Sequence, residues 1–537
     1  MGLFLSGTLL LTENPCASLS SVTVALCVFT LILMAIRRQK SQTFAFRIQN
    51  DPQLERRNNP PLPGPVPWPL VGNLLQVGDQ MHLSLTRMRG LYGDVFKLRL
   101  GSLTVVVLSG YTTIRQALVR QAEAFAGRPE LFTFSAVADG NSMTFSEKYG
   151  PAWLLHKKLC KNALRSLTQA EPRGSGATCL LEEHVCAEAA ELLEMIREQA
   201  VTSEKDHDMK VVDPVVPLVT SVANVVCALC FGKRYDHNDK DFLTIVNINN
   251  EVLKIFAAGN LADFFPVFRY LPSHSLREMV KYIRRMNGFM EQRIEEHVKT
   301  FDKNCIRDIT DALIALCENR EENETSLLSN SQIIHTVIDI FGAGFDTIIA
   351  GLQWSLLYLI KFPDIQERIH KEIDDHIGSA RLPRFSDKPQ MPYTEAFLNE
   401  VFRHASYIPF TIPHCTTRTT TLNGYLIPKD MCVFINQYQV NHDVDLWGDP
   451  ETFRPDRFLD PSGQLNKDLI EKVLLFSMGK RRCLGDGFAR LEMFVFLTTL
   501  LHGLQLENVP GQKLDMSTDF GLTMKPRPFR IAISSRF

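Results

Sequence analysis

No sign of charge dominates this 537-residue chain: 58 lysines and arginines face 60 aspartates and glutamates, for a formal net charge of -2. Such a balance leaves no electrostatic footprint for nucleic acid. A cysteine framework is missing too, since the 12 cysteines follow no repeated spacing. That excludes a disulfide scaffold and leaves most of them as reduced core residues. Cys227 and Cys230 form a C-x-x-C without a second copy, beside apolar Val225, Val226 and Leu229. They read as core cysteines of a helix rather than a zinc or redox site. Internal repeats are absent, and no second linker interrupts the chain. With 45% hydrophobic and 22% charged residues, most of the sequence reads as one large body able to bury a core.

Charge is absent altogether from residues 16–36, where the stretch 22–36 is almost wholly apolar. A run of about 20 such residues matches the hydrocarbon thickness of a bilayer. Arg37, Arg38 and Lys40 follow at once, while Glu13 is the lone charge before it. This asymmetry predicts a membrane anchor with its C-terminal side in the cytosol. The competing reading, a cleaved signal peptide, would carry its basic residues first. Met1, Gly2 and Ser6 also fit a myristoylation pattern, an accidental match beside an anchor. Asn323 and Thr325 complete a glycosylation sequon that a cytosolic domain cannot use. Prolines alternate through residues 60–69, and each fixes its own φ and restricts its predecessor. The segment is a stiff extended arm or an ordinary linker. The expected organisation is an anchor over 1–36, a basic and Pro-rich stretch over 37–69, and a catalytic domain over 70–537.

Phe96, Leu98 and Leu100 alternate with more polar neighbours, Gly101 and Ser102 supply a turn, and Val105, Val106 and Val107 return; the pattern predicts a β-hairpin. Leu181, Val185, Ala189, Leu192 and Ile196 recur at helical steps. Residues 171–176 and 318–326 read as loops. The fold class is therefore mainly α with a small β-sheet region. Residues 332–360 form the most informative helix, about 43 Å long at 1.5 Å per residue. Asp339 and Asp346 are its charged residues. A second membrane span would leave these acids, His335 and Gln353 in lipid, so a helix buried in a large core is the better reading.

Phe476, Gly479, Arg481, Cys483 and Gly485 stand in the order F-x-x-G-x-R-x-C-x-G. This resembles the signature of the cytochrome P450 superfamily of haem-thiolate monooxygenases. The resemblance implies Cys483 as axial ligand of haem b, a thiolate whose electron donation favours O–O cleavage. It implies Gly479 at a tight turn beneath the porphyrin, backbone N–H groups donating to the sulfur, Arg481 at a haem propionate, and Gly485 where the next helix, 487–501, passes close by. Phe476 opens the loop. Residues 343–347 match A/G-G-x-D/E-T within the long helix. There Gly342 and Gly344 would open room, and Asp346 with Thr347 would relay protons during oxygen activation. The alternative is a Gly-kinked helix whose threonine bonds its own backbone. Glu400 and Arg403 fit E-x-x-R, and Arg457 lies in F-R-P-D-R-F. By spacing alone they are a surface pair; by the resemblance they form a buried structural cluster.

Segments 108–134, 307–311, 340–347, 391–414 and 436–459 look like vertebrate family-1 members, the aryl hydrocarbon hydroxylase group. That resemblance implies a microsomal, single-pass protein of the endoplasmic reticulum. Its implied electrons come from NADPH through NADPH–cytochrome P450 reductase, with cytochrome b5 as a further partner. The implied substrates are O2 and small hydrophobic, planar aromatic xenobiotics, with steroids or fatty acids besides. Phe145, Asn249, Asp339, Gly342, Ala343, Ile412 and Leu522 would line the pocket; Trp153 and His414 would join Arg481 at the propionates. The chain departs from the pattern at Lys157, which replaces an arginine fork by a point charge. Val252 and Met286 likewise stand where aromatic rings are expected. His156, Lys157, Lys158, Lys161, Lys480 and Arg482 are expected to form a basic face for the reductase, and Phe264, Phe265 and Phe268 a second membrane contact. A haem-thiolate isomerase or dehydratase, and a non-catalytic membrane haem-binding protein, stay open as alternatives.

Overall fold

Strand β1 (Val95–Leu100) and strand β2 (Leu103–Leu108) pair antiparallel in the register Val95 to Leu108, with the turn at Gly101 and Ser102 as predicted. In this computed structural model the described residues are 59–537, apart from 139, 169–179, 203–208, 258–259, 272–273, 319–327, 520 and 537. The anchor predicted over 1–36, the basic stretch that follows it, the loop at 171–176 and nearly all of that at 318–326 lie outside them. A compact unit spans Pro61–Phe537, so it begins ahead of residue 70, where the sequence places the domain boundary. The reason is visible in the Pro-rich arm, which lies along β1: Lys97 N–H donates to the Pro63 carbonyl at 2.8 Å. A Cβ on Gly64 would sit 2.1 Å from the Lys97 oxygen. That contact admits only glycine.

Most of the remaining chain is helical. Helix α1 (Pro151–Thr168) is followed by α2 (Leu180–Gln199), whose Leu181, Val185, Ala189, Leu192 and Ile196 are all buried. Helix α3 (Val215–Phe231) is apolar throughout and carries Cys227 and Cys230 in the core, where burial pushes both thiols up. Helices α4 (Lys240–Ala257), α5 (His274–Lys299) and α6 (Ile309–Glu318) come next.

The long helix α7 (Asn330–Lys361) starts at a capping box: the Ser329 hydroxyl accepts from Gln332 N–H at 3.2 Å, and Ser329 N–H donates to the Gln332 side chain at 2.9 Å. It stops before Pro363, which disfavours helical geometry at Phe362. The helix is long and apolar enough to cross a membrane. Its residues 345–360 are nevertheless buried in the protein save Thr347. It is the core helix that the sequence predicts.

Helix α8 (Pro392–Ala405), strand β3 (His414–Cys415), strand β4 (Cys432–Ile435), helix α9 (Asp486–Gly503) and the small hairpin of β5 (Thr518–Asp519) with β6 (Lys525–Pro526) complete the elements used below. One four-stranded sheet has the order β1-β2-β4-β3, with β2 and β4 parallel and the other pairs antiparallel. Helices α2, α3, α7, α8 and α9 share one large hydrophobic cluster, and the sites described next lie at its edge.

Candidate active site

The loop ahead of α9 is shaped by two residues with positive φ, Ser477 at 57° and Gly479 at 75°. A Cβ on Gly479 would lie 1.8 Å from the Leu118 carbonyl oxygen. The glycine is therefore demanded by the neighbouring backbone, a reason the sequence did not reveal. Cys483 N–H donates to the Phe476 carbonyl at 3.1 Å and closes the loop. The Phe476 ring meets Phe402 edge-on at 5.8 Å, and the Arg490 guanidinium lies over both rings. Cys483 is an exposed residue, yet its thiol sits deep enough that burial raises its pKa. The Gly485 N–H bonds its sulfur and opposes that shift, which is the donor geometry a thiolate ligand needs.

Four basic side chains gather beside this loop. Arg481 donates to the carbonyls of Ala126 at 2.8 Å, Met143 at 2.9 Å and Ser146 at 3.2 Å, and stacks 3.9 Å from the Trp153 ring. Trp153 donates its indole N–H to the Met143 carbonyl at 2.9 Å. Arg128 donates to the carbonyls of Thr144, Ile412 and Pro413. His414 is buried on β3, its Nδ1 2.7 Å from the Phe125 carbonyl. Lys157 donates to the carbonyls of Lys480 and Arg482, so here it grips the cysteine loop itself. Burial lowers the pKa of all four, to about 9 for Arg481 and about 8 for Lys157. The mutual repulsion of Arg481 and Arg128 adds to the shift. Among the described residues none of Arg128, Lys157 and Arg481 forms a salt bridge. Buried cations need an anion, and a cradle of this kind fits a small group bearing two carboxylates, such as a haem with its propionates. Arg128 is a lone arginine with no motif around it, and sequence reasoning missed it.

A second wall comes from α7. The segment 142–146 bridges it to Arg481: the Ser142 hydroxyl donates to Asp339 at 2.8 Å and Thr144 N–H at 3.0 Å. Burial holds Asp339 up at about 6 against these bonds. Ala343, one turn along the same face, is exposed although Phe341 and Phe345 beside it are buried. A Cβ on Gly342 would meet nothing within 4 Å, whereas one on Gly344 would touch Val226 of α3 at 3.4 Å. Gly342 thus faces open space, and Gly344 serves helix packing instead. Farther along, Tyr407 ties α7 to the loop, its hydroxyl 2.9 Å from where a Gly351 Cβ would stand and its pKa raised by burial and by nearby Cys483.

The two residues expected to act together on α7 part company. The Thr347 hydroxyl donates to the Ala343 carbonyl at 2.8 Å, the local backbone bond weighed as the alternative. Asp346 is buried and is held by the Thr523 hydroxyl and the Lys525 ammonium. Among the expected pocket residues, Phe145 stacks near Phe134 at 5.0 Å, and Asn249 on α4 is buried with its amide NH2 lacking a hydrogen-bond partner among the described residues. Ile412 is half-buried and offers its carbonyl to Arg128, and Leu522 is 50% exposed. Met286 of α5 is buried in the main cluster, with Val252 packed against it.

Glu400, Arg403 and Arg457 do come together, and all three are buried. Arg403 grips Glu400 with two bonds of 2.7 and 2.8 Å, and Arg457 adds a third at 3.0 Å. The remaining guanidinium hydrogens reach the carbonyls of Asn441, Pro450, Trp447 and Thr452 and, from Arg457, the Asp449 carboxylate at 3.1 Å.

Of the expected basic face, His156 is buried against Thr336, Lys480 pairs with Glu123 at 2.8 Å, and Arg482 with Asp486 at 2.5 Å. Lys158 and Lys161 remain on the surface of α1.

Residues 61–533 match the cytochrome P450 family. The chain is 48% identical to cytochrome P450 1A1 of Canis lupus familiaris over 95% of its own length and 94% of the relative's. It is 50% identical to cytochrome P450 1A1 of Rattus norvegicus over 86% and 88%, and 48% identical to that of Sparus aurata over 88% and 91%. A cysteine loop with an N–H at its sulfur, a buried cationic cradle and this likeness agree: the chain belongs to the cytochrome P450 family of haem-dependent monooxygenases.

Proposed function

We propose that the protein is a microsomal monooxygenase that inserts one atom of O2 into small hydrophobic substrates, planar aromatic xenobiotics foremost, with Cys483 as the iron ligand. The observation that carries this reading is the pairing of the desolvated Cys483 thiol with a cradle of cations, Arg128, Lys157 and Arg481, that form no salt bridge among the described residues. Bound there, the haem supplies the oxygen-activating redox chemistry, and thiolate donation favours O–O cleavage. The chain's own residues do the rest. Arg481, Arg128 and His414 hold the propionate side, Trp153 stacks on Arg481, and Lys157 fixes the loop by its carbonyls. Ala343 and Gly342 keep a wall low enough for substrate. Asp339 and the Asn249 amide, whose NH2 has no hydrogen-bond partner among the described residues, offer polar contacts to a ligand. Asp346 and Thr347 handle protons for the reaction. Glu400, Arg403 and Arg457 are structural.

The test replaces Cys483 by His: haem is partly retained, and the strongly red-shifted Soret band of the reduced carbonyl complex disappears. Survival of that band would refute the ligand. Product profiling with reductase, NADPH and a panel of aromatic and lipid substrates then identifies the substrate class.

A location at the endoplasmic reticulum membrane is supported by apolar side chains around the β1–β2 turn. Val66, Trp68, Leu70 and Leu75 are exposed on one side, and Leu261, Val267, Tyr270 and Leu271 on the other. Gly101 N–H to Val71 and Ser102 N–H to Phe264 bind the two sides to the turn. Exposed apolar area of this kind marks an interaction surface. For electron delivery by a flavoprotein reductase, Lys158 and Lys161 are the cations to probe. Rim charges act mainly on association, so Lys158→Glu with Lys161→Glu slows reductase-supported turnover most at low salt, while peroxide-driven turnover stays unchanged.

A further inference from the structure

Both oxygens of the Asp346 carboxylate are engaged by one short stretch of chain near the C-terminus. The Thr523 hydroxyl donates to Oδ2, and the Lys525 ammonium pairs with Oδ1. Between them Met524 is stitched down twice, donating N–H to the Tyr407 carbonyl at 2.7 Å and accepting from the Trp354 indole of α7 at 2.8 Å. The strand β6 thus meets α7 at Asp346 and again at Trp354. Consecutive residues of a helix project about 100° apart, so Asp346 leans to this strand while Thr347 keeps its hydroxyl on the Ala343 carbonyl. The carboxylate is thus held by one hydrogen bond, at Oδ2, and one ion pair, at Oδ1, which makes no hydrogen bond among the described residues, and it must leave this clamp to serve a second partner. Its cation is also the more accessible member of the pair, at 35% against 6% for the Asp346 side chain.

We propose that Lys525 and Thr523 are positioning residues for the monooxygenase reaction: they clamp Asp346, and its proton handling requires the clamp to open. The proposal rests on the reading of Asp346 given above. Released from the clamp, the Asp346 carboxylate takes a proton from water, passes it on, and returns as a carboxylate to Lys525 Nζ and Thr523 Oγ1, neither of which loses a proton over the cycle. Leu522, half exposed and adjacent in sequence to Thr523, ties the clamp to whatever occupies the space beside it. A ligand pressing on Leu522 would load the clamp directly, so substrate occupancy and proton supply would share one lever.

The test uses the full-length holoenzyme with reductase and NADPH, and compares Lys525→Met, Lys525→Arg, Asp346→Asn and the Lys525→Met, Asp346→Asn double variant. Expected for Lys525→Met is a severalfold fall in product formed per NADPH, with matching peroxide release and an unchanged spectral affinity for substrate. Hydrogen exchange, read without turnover, should rise in residues 518–526 and 343–347. Lys525→Arg should restore the wild-type ratio, and adding Lys525→Met to Asp346→Asn should change the ratio no further. Uncoupling by Lys525→Met that is equally large in the Asp346→Asn background, or that Lys525→Arg fails to relieve, would overturn the clamp as a positioning device. So would wild-type coupling in Lys525→Met while Asp346→Asn is uncoupled. Wild-type coupling in Asp346→Asn itself would instead overturn the role of Asp346, leaving the clamp nothing to position.

Discussion

Two groups of buried arginines lie in this protein, and they differ in where their negative charge comes from. Around Glu400 the chain brings its own anions, Glu400 for both arginines and Asp449 for Arg457, and the guanidinium groups spend their other hydrogens on carbonyls. Around Arg481 the chain supplies carbonyls and an indole face, and no salt bridge reaches Arg481, Arg128 or Lys157 among the described residues. The first group is complete without help and belongs to the architecture. The second, under the proposed function, is a socket for a countercharge from outside. Burial and hydrogen bonding alone would not separate them; the missing carboxylate does.

Glu400→Gln should have the largest effect, because it leaves the buried Arg403 guanidinium without an anion and Arg457 with Asp449 alone. Breaking a buried ion pair costs on the order of 3–5 kcal/mol, to be read as a lower denaturation midpoint and a lower yield of folded protein. Arg481→Met sharpens the contrast. It should weaken haem retention about tenfold, or about 1.4 kcal/mol, measured by transfer to a haem scavenger. It should cost the haem-free protein far less than Glu400→Gln does. Equal destabilisation of haem-free protein by both would erase the distinction between architecture and socket.

A pH-dependent effect concerns Asp339, whose pKa burial raises from 3.8 to about 6. A buried acid with a raised pKa binds more protons folded than unfolded, so stability falls as pH rises through that window. Across about two pH units this is at most about 3 kcal/mol. Asp339→Asn should remove that decline, so the variant gains on the parent between pH 4 and pH 6. Parallel stability curves for the two proteins would show that folding leaves the pKa of Asp339 unshifted.

The sequence could announce whatever depended on neighbours in the chain. The spacing of Leu181, Val185 and Ala189 and the apolar run of α7 each follow from local periodicity, and each appears where expected. The cysteine loop is readable for the same reason, as its residues lie within ten positions of one another. Contacts made across the fold left no local mark. Arg128 reaches the cradle through the carbonyls of Thr144 and Ile412, and Asp346 finds Lys525 from another part of the chain. Lys157 and His156 lie in a stretch that reads as a charged helix surface, but the turn of α1 sends both inward, to the cysteine loop and to Thr336. Gly344 looks in sequence like a partner of Gly342, yet the helix points it at Val226.

Gly479 against the Leu118 carbonyl has a consequence for how this protein tolerates change. The contact leaves no room even for a methyl group, so the haem loop and the distorted turn Gln116–Arg120 are interlocked parts cut to one tolerance. A one-residue insertion or deletion in that turn would displace the Leu118 oxygen and be felt at Cys483, far along the chain, as a misshapen loop. Harm from such a change would register as a defective chromophore, although the altered residues never touch the iron. A loop grafted from a relative would inherit the same demand, and would fit only if the turn beneath it were carried across as well.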